Sequence, residues 1–323
     1  MGEVTFTLPD PDRKLTGVRL RQEVGLPADR LDFAYAGDGW RLAVPRPAVA
    51  RMEYQFELSH PGGDRETVTD PGNPHRAGGA FGDKSVLEFP GYAPPDWLAA
   101  PAPPPGRNRT VTSLLTLWSP AGVPDDRPLP LLLVHDGPEY AGLAAFTTYL
   151  AAGVAGGWLP PVRAALLAPG PDRDRRYSAN PDYARALRHA ILPAVAATVA
   201  TTIRVGVGTS LGALAMLHAQ RAHPDLVDAL FLQSGSFFHP RHDAHEARFP
   251  YYDRIVAFVA TVTAGGVPAV LTCGTAEENL HNNRLMAATL RAPLHETPDA
   301  HNYTSWRDAL HPHLTDLLRE VAG

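Results

Sequence analysis

Residues 128–137, PLPLLLVHDG, are apolar almost without interruption, and that constrains the fold more than any other stretch. A strand with one face in water alternates apolar and polar residues; a run that is apolar throughout needs cover on both faces, as in a parallel sheet between helices. The surrounding rhythm agrees. TVTSLLTLWSP (110–120), VRAALLAP (162–169), IRVGVG (203–208), DALFLQSG (228–235), PAVLTCG (268–274) and the short LHETP (294–298) read as further strands. Between and after them stand helical patterns: AAFTTYLAAGVAGG (144–157), NPDYARALRHAILPAVAATVA (180–200), LGALAMLHAQRAH (211–223), YDRIVAFVATVTAG (252–265), NNRLMAATLRA (282–292) and YTSWRDALHPHLTDLLREV (303–321). In the second of these Tyr183, Leu187 and Ile191 fall at i, i+4 and i+8. Strand–helix alternation predicts right-handed crossovers and a doubly wound, mostly parallel α/β sheet over residues 106–323.

The first hundred residues keep a different period. Val4, Phe6 and Leu8; Val18 and Leu20; Trp40, Leu42 and Val44; and Met52, Tyr54, Phe56 and Leu58 each alternate with polar or small residues, including Glu53, Gln55 and Glu57. Period two with frequent turn residues predicts half-buried antiparallel strands and a small immunoglobulin-like β-sandwich over residues 1–105. PGYAPPDWLAAPAPPPGRNR (90–109) closes it as an extended, stiff, proline-rich linker.

The 323 residues carry 29 Lys and Arg against 34 Asp and Glu, a net charge of −5, with no basic run. That argues against a nucleic-acid partner. No apolar run reaches the length of a membrane span, so no membrane partner is expected. The opening MGEVTFTLPDPDRK lacks a basic stretch followed by an apolar one, and Cys273 is the single cysteine. Both point to the cytoplasm. Cys273 ends an apolar strand and reads as a buried thiol rather than a nucleophile.

Gly208-Thr209-Ser210-Leu211-Gly212 lies where strand IRVGVG meets helix LGALAMLHAQ, the setting of a nucleophile elbow. There Ser210 would project above the carboxyl edge of the sheet, and the Leu211 amide would face the oxyanion of a tetrahedral intermediate. A serine needs a base, and the base an orienting carboxylate. In hydrolases of this architecture the chain order is serine, acid, histidine at successive strand ends. Glu277, after strand PAVLTCG, and His301, in ETPDAHNYTSW, fit that order. Glu278 or Asp299 could replace Glu277, and His295 is the weaker base. The second oxyanion amide is expected from VHDGPEYAG: from Gly137, or from Glu139, because Pro138 has no N–H. HPRHDAHEARFPYYD (239–253), with His239, His242 and His245, reads as a solvated loop shaping the leaving-group pocket rather than a metal site.

LLVHDGPEY, GVGTSLGALAMLHAQRAHPDLV, CGTAEENLHNNRLM and HNYTSWRDAL together resemble the enterochelin (enterobactin) esterase branch of the esterase superfamily. Feruloyl and acetylxylan esterases, S-formylglutathione hydrolases and mycolyltransferases are other members. The N-terminal segment is similar too: Tyr54-x-Phe56, then Asp70-Pro71-x-Asn73-Pro74, matches the β-sandwich of those esterases. The resemblance implies an α/β-hydrolase fold with Ser210 as nucleophile, His301 as base and Glu277 as acid. The chain departs from the family where Gly-Gly-His-Asp becomes Asp299-Ala300-His301-Asn302, and where Arg-x-x-Glu becomes Arg173-x-x-Arg176.

The expectation is a serine ester hydrolase working through an acyl-enzyme without metal or organic cofactor. Its favoured substrate is a small-molecule catecholate ester or lactone of the siderophore type, free or iron-loaded, with Arg173, Arg176 and Glu139 on the binding wall. The alternatives are a feruloyl or acetyl carbohydrate esterase, and a catalytically idle hydrolase-like protein that binds a ligand.

Overall fold

The computed structural model describes residues 2–99 and 103–323. Two compact units emerge. The first comprises residues up to Ala93 together with two short returns of the chain, Gly274–Glu278 and Pro298–Asn302. The second comprises Pro94–Cys273, Asn279–Thr297 and Tyr303–Gly323.

The first unit is a β-sandwich. One sheet holds β1 (Glu3–Pro9), β3 (Ala34–Ala36) and β4 (Gly39–Pro45), in the order β1-β4-β3. The other holds β2 (Gly17–Gln22), β5 (Arg51–Ser59), β7 (Arg76–Ala77) and β8 (Lys84–Glu88), with β6 (Arg65–Val68) also paired to β5. Antiparallel register sets Phe6 opposite Leu42 and Leu20 opposite Phe56. Phe6 from one sheet meets Tyr54 from the other edge-on, ring centroids 4.9 Å apart, so the period-two faces close on each other.

Strand β5 departs from the simple alternation, since Arg51 and Glu53 are buried along with Met52, Tyr54 and Phe56. The face expected in water is covered within this unit by Pro298–Asn302. There the Arg51 guanidinium donates to Glu53 Oε1 at 2.9 Å and to Asn302 Oδ1 at 3.1 Å.

The second unit is an eight-stranded α/β sheet of the α/β-hydrolase fold, joining β9 (Arg107–Thr112), β10 (Leu115–Ser119), β11 (Leu129–His135), β12 (Arg163–Leu167), β13 (Thr201–Thr209), β14 (Ala229–Gln233), β15 (Ala269–Gly274) and β16 (Leu294–Thr297). Across the sheet the order is β16-β15-β14-β13-β11-β12-β10-β9. From β12 through β11, β13 and β14 to β15 every pairing is parallel. The apolar run is explained at β11. Leu131 and Leu133 enter the core that contains Leu214 of helix Leu211–Ala222, while Leu132 and Val134 enter the opposite core with Phe146, Tyr149 and Leu314.

Three elements differ from the sequence pattern. TVTSLLTLWSP is not one strand but the end of β9, a tight turn and the whole of β10, and at the turn Thr112 Oγ1 accepts the Leu114 amide at 3.2 Å. The helix of 180–200 spans Pro181–Ala196 and carries a π turn at Leu187–Ile191. Pro193 follows that turn; it has no N–H to donate, and the wider turn accommodates its ring. The final pattern breaks at Pro312 into Tyr303–Asp308 and His313–Ala322. The expected linker is extended only in part. Asp96–Ala99 make a helical turn whose Trp97 is buried against Tyr149, and residues 100–102 lie outside the described residues.

The motif Tyr54…Asp70-Pro-Gly-Asn73 is a polar clasp. Tyr54 Oη donates to Asp70 Oδ2 at 2.6 Å, Asn73 Nδ2 donates to Tyr54 Oη at 3.1 Å and to the Val86 carbonyl at 2.7 Å, and the Asp70 amide donates to Ser85 Oγ at 2.8 Å. Tyr54→Phe leaves the buried Asp70 carboxylate one donor short and should destabilise the protein by about 1–3 kcal/mol in urea unfolding. An unchanged midpoint would show that the clasp carries no stability.

Candidate active site

Strand β13 ends at Thr209, and the helix Leu211–Ala222 begins two residues later. Ser210 between them has φ 54° and ψ −125°, a conformation costing a non-glycine residue about 1–3 kcal/mol. Neighbouring atoms enforce it. A Cβ on Gly208 would lie 2.3 Å from the Gly212 carbonyl oxygen, and one on Gly212 would lie 3.0 Å from His135 Cβ. Close backbone passage thus demands the glycine at 208, and tight packing against His135 favours the one at 212. The Ser210 amide donates to Gln233 O at 2.9 Å, tying the elbow to the end of β14. Ser210 Oγ lies 3.3 Å from Ser236 Oγ, and the Ser236 amide donates back to Ser210 O at 3.2 Å. Ser236 escaped the sequence reading; its signal was modest, a second small polar residue after the neighbouring strand end, LQSGS.

Leu211 opens its helix, so its amide has no acceptor within that helix. Gly137 does the same for the helix Gly137–Leu143, with Pro138 second and Glu139 third. Proline costs nothing there because a second-position amide has no intrahelical acceptor either. The glycine at 137 answers to packing: its Cβ would lie 2.5 Å from Leu166 Cα.

His135 braces the elbow. Its Nδ1 lies 2.8 Å from Gly212 O, and a carbonyl only accepts, so Nδ1 carries the proton. Burial holds this imidazole down to about 4, keeping it neutral. Asp136, at φ 49°, receives a bidentate pair from Arg173, Nε to Oδ1 at 2.8 Å and Nη2 to Oδ2 at 2.7 Å. Burial opposes the charge on Arg173, and Asp136 outweighs it, so the guanidinium is raised still further. Arg173 is therefore committed to a carboxylate of this chain and stands over the Tyr177 ring, while Arg176 stands over Tyr183. Glu139 keeps Oε2 buried without a hydrogen-bond partner. Tyr303, another residue not foreseen, is pushed up to about 12 by burial and by the charges of Asp136 and Glu139.

Glu277 and His301 sit together in the first unit. His301 Nδ1 lies 2.8 Å from Glu277 Oε2, and the Gly274 amide donates to Glu277 Oε1 at 2.7 Å. The Glu277 side chain is wholly buried and that of His301 is 36% exposed. Asp299 has partners of its own. Its Oδ1 accepts from the Ala300 amide at 2.7 Å and from Asn302 Nδ2 at 2.9 Å, and Oδ2 lies 3.7 Å from Arg51. Glu278 is exposed. His295 stacks on His313, centroids 3.7 Å apart. In the 239–253 loop His242 packs against His239 and His281, and no group of three or more potential ligands among the described residues is arranged to hold a metal.

A family model described as "Putative esterase" matches residues 106–317, more than half of the chain. The chain belongs to this esterase family. Among solved structures, the esterase resembles the enterobactin esterase FES of Shigella flexneri, solved in the presence of 2,3-di-hydroxy-N-benzoyl-glycine: 21% identity, TM-score 0.75, 99% of this chain and 94% of that one. The ferric enterobactin esterase of Salmonella typhimurium gives the same identity, TM-score and coverage. The feruloyl esterase module of Clostridium thermocellum, complexed with sinapinate, is 15% identical with TM-score 0.53, covering 71% of this chain and 94% of that one. At such identities the likeness is one of fold. No curated protein matches the sequence.

Burial pushes the His301 imidazole down, but the Glu277 hydrogen bond and charge outweigh it, so His301 titrates above 6.5. A raised value in the folded state means that the stability from this pair is fully present below pH 6.5 and is lost as pH rises through the folded value. Imidazole NMR titration should place the His301 midpoint above 6.5, and Glu277→Gln should lower it. Equal midpoints in the two proteins would remove Glu277 from this role.

Proposed function

We propose that this esterase cleaves carboxylic esters through an acyl-enzyme, with Ser210 as nucleophile, His301 as general base and acid, and Glu277 as the orienting carboxylate. The observation that carries the reading is the 2.8 Å contact between His301 Nδ1 and buried Glu277. It sets the tautomer: Nδ1–H donates to the carboxylate, leaving the Nε2 lone pair to take a proton. The strained Ser210 elbow supports it further, because backbone strain of this kind recurs at functional sites.

In this mechanism Ser210 Oγ bonds to the ester carbonyl carbon while its proton passes to His301 Nε2. The carbonyl π electrons move to oxygen, and the Leu211 and Gly137 amides, with the Glu139 amide in reach of the same turn, stabilise that oxyanion. The C–O bond to the alcohol then breaks, and His301 returns the proton to the departing oxygen. Water repeats the sequence on the acyl-enzyme, giving up a proton to His301 and releasing the acid. Buried Glu277 orients the ring and stabilises the imidazolium. The scheme needs only water, these side chains and these backbone amides, and calls on no metal or organic cofactor.

The favoured substrate is a catecholate siderophore ester or lactone, free or iron-loaded, opened in the cytoplasm without a nucleic-acid or membrane partner. Support comes from coverage. The two enterobactin esterases align with 99% of the chain, N-terminal unit included, whereas the feruloyl module aligns with 71%. No helix is long and apolar enough to cross a membrane among the described residues. Arg176 would supply positive charge to an anionic catecholate. Arg173, held by Asp136, and Glu139 would shape the wall beside it.

Ser210→Ala should lower kcat about 10³-fold or more on a cyclic or linear catecholate ester, with little change in Tm. A fluorophosphonate should label the wild-type serine and not this variant. kcat/KM should rise with pH through a midpoint above 6.5, because the base works neutral. Retained turnover in Ser210→Ala would refute the nucleophile, and faster cleavage of a feruloyl sugar than of the catecholate would refute the substrate.

A further inference from the structure

Within the first unit, the segments bearing the acid and the base are not isolated loops. The Ala50 amide donates to the Pro298 carbonyl at 2.6 Å, and the Ala276 amide donates to the Asp299 carbonyl at 3.1 Å. Next to Ala50, at the start of β5, stands Arg51, only 3% exposed. Its Nη1 donates to Asn302 Oδ1 at 3.1 Å and lies 3.7 Å from Asp299 Oδ2, so it grips residues on both sides of His301. Asn302 Nδ2 closes the loop on Asp299 Oδ1 at 2.9 Å. Behind Arg51 the charges alternate outward: Glu53 Oε1 at 2.9 Å, then Lys84 at 3.8 Å from Glu53 Oε2, then Glu23 at 2.9 Å from Lys84.

A buried charge cluster of this kind is a poor way to gain stability. Desolvating the ions offsets most of their attraction, and well-packed apolar groups commonly do as well or better. Arg51 Nε is also buried with no hydrogen-bond partner, a further cost. What the cluster supplies is geometry. The Arg51 Nη1 group, its N–H directions fixed in the guanidinium plane, donates to Asn302 and lies by the Asp299 carboxylate, and those two residues bracket the imidazole paired with Glu277.

We propose that Arg51, from the β-sandwich, is a positioning residue for the esterase reaction: by holding Asp299 and Asn302 it orients the His301 ring. The inference rests on His301 being the base of the proposed mechanism. Asp299 and Asn302 are two of the three places, with Ala300, where the chain departs from Gly-Gly-His-Asp, and Arg51 is the partner those two share.

The test uses the full-length protein, p-nitrophenyl acetate, and the downfield proton resonance of His301 Nδ1–H. Arg51→Met should fold, lose about 10- to 100-fold in kcat with KM within twofold, and shift or broaden that resonance, since sub-ångström misplacement of a catalytic group is this costly. Arg51→Lys should restore part of the loss, because an ammonium keeps the charge beside Asp299 without the fixed N–H directions of Nη1. If Arg51→Met fails to fold, Asn302→Ala, which leaves the Arg51–Glu53 pair intact, should show the same kcat loss and the same shift. Wild-type kcat and an unmoved resonance in a folded Arg51→Met or Asn302→Ala would overturn the proposal. Ser210→Ala and His301→Ala separate the two levels. If they keep turnover, the mechanism itself fails; if they lose it while the Arg51 and Asn302 variants do not, only the positioning role fails.

Discussion

The second unit depends on a contact with no side chain in it, the passage of Gly208 against the carbonyl of Gly212. A strand can turn into a helix within one residue only where two backbones come this close, and any Cβ at 208 would meet the Gly212 oxygen at 2.3 Å. From that contact follow the left-handed φ of Ser210, the immediate start of its helix at Leu211, and the brace from His135 to Gly212. The apolar cores on the two faces of β11 stabilise the sheet enough to bear the strain. This is the usual relation between a strained site and its scaffold, in which the surroundings over-determine an unfavourable conformation.

Around this elbow and in the β-sandwich unit, charge is used to shape rather than to stabilise. Half-buried Arg173 with buried Asp136, and buried Arg51 with Glu53, Asp299 and Asn302, are groupings in which each ion has a specific partner. The Arg173 pair holds a left-handed residue at the end of β11, beside the first amide of the next helix. Arg51 holds the segment that carries His301. Glu277 achieves the same for the imidazole more directly, its second oxygen tied to the Gly274 amide so that the carboxylate cannot rotate away.

Much of this was legible in the residue order. Runs apolar at every position named the sheet strands, period-two stretches named the sandwich, and glycine spacing around Ser210 named the elbow. The chain order pointed to an acid at Glu277 with Glu278 and Asp299 as alternatives; only the fold shows Glu277 Oε2 2.8 Å from His301 Nδ1. The misses have physical causes. Pro193 and Pro312 altered helices whose apolar spacing ran on unbroken, because periodicity does not register a missing N–H. That Arg173 pairs with Asp136 at 2.7 Å was not legible either, because sequence spacing does not encode such a distance. Glu53 read as solvent-facing because nothing local shows that residues 298–302 cover it.

By itself the sequence determined periodicity, punctuation and chemical type, which are properties of neighbours along the chain. Hence it specified an α/β sheet behind a small β domain, the serine in its turn, and which acid and histidine to consider. Tertiary structure alone decided which charges are spent on one another, which glycines are demanded by packing, and that Gly274–Glu278 and Pro298–Asn302 belong to the unit of the β-sandwich. Those outcomes depend on burial and on distances between residues as far apart in the chain as Arg51 and Asn302. No local pattern encodes such a distance, because it exists only once the hydrophobic cores have closed.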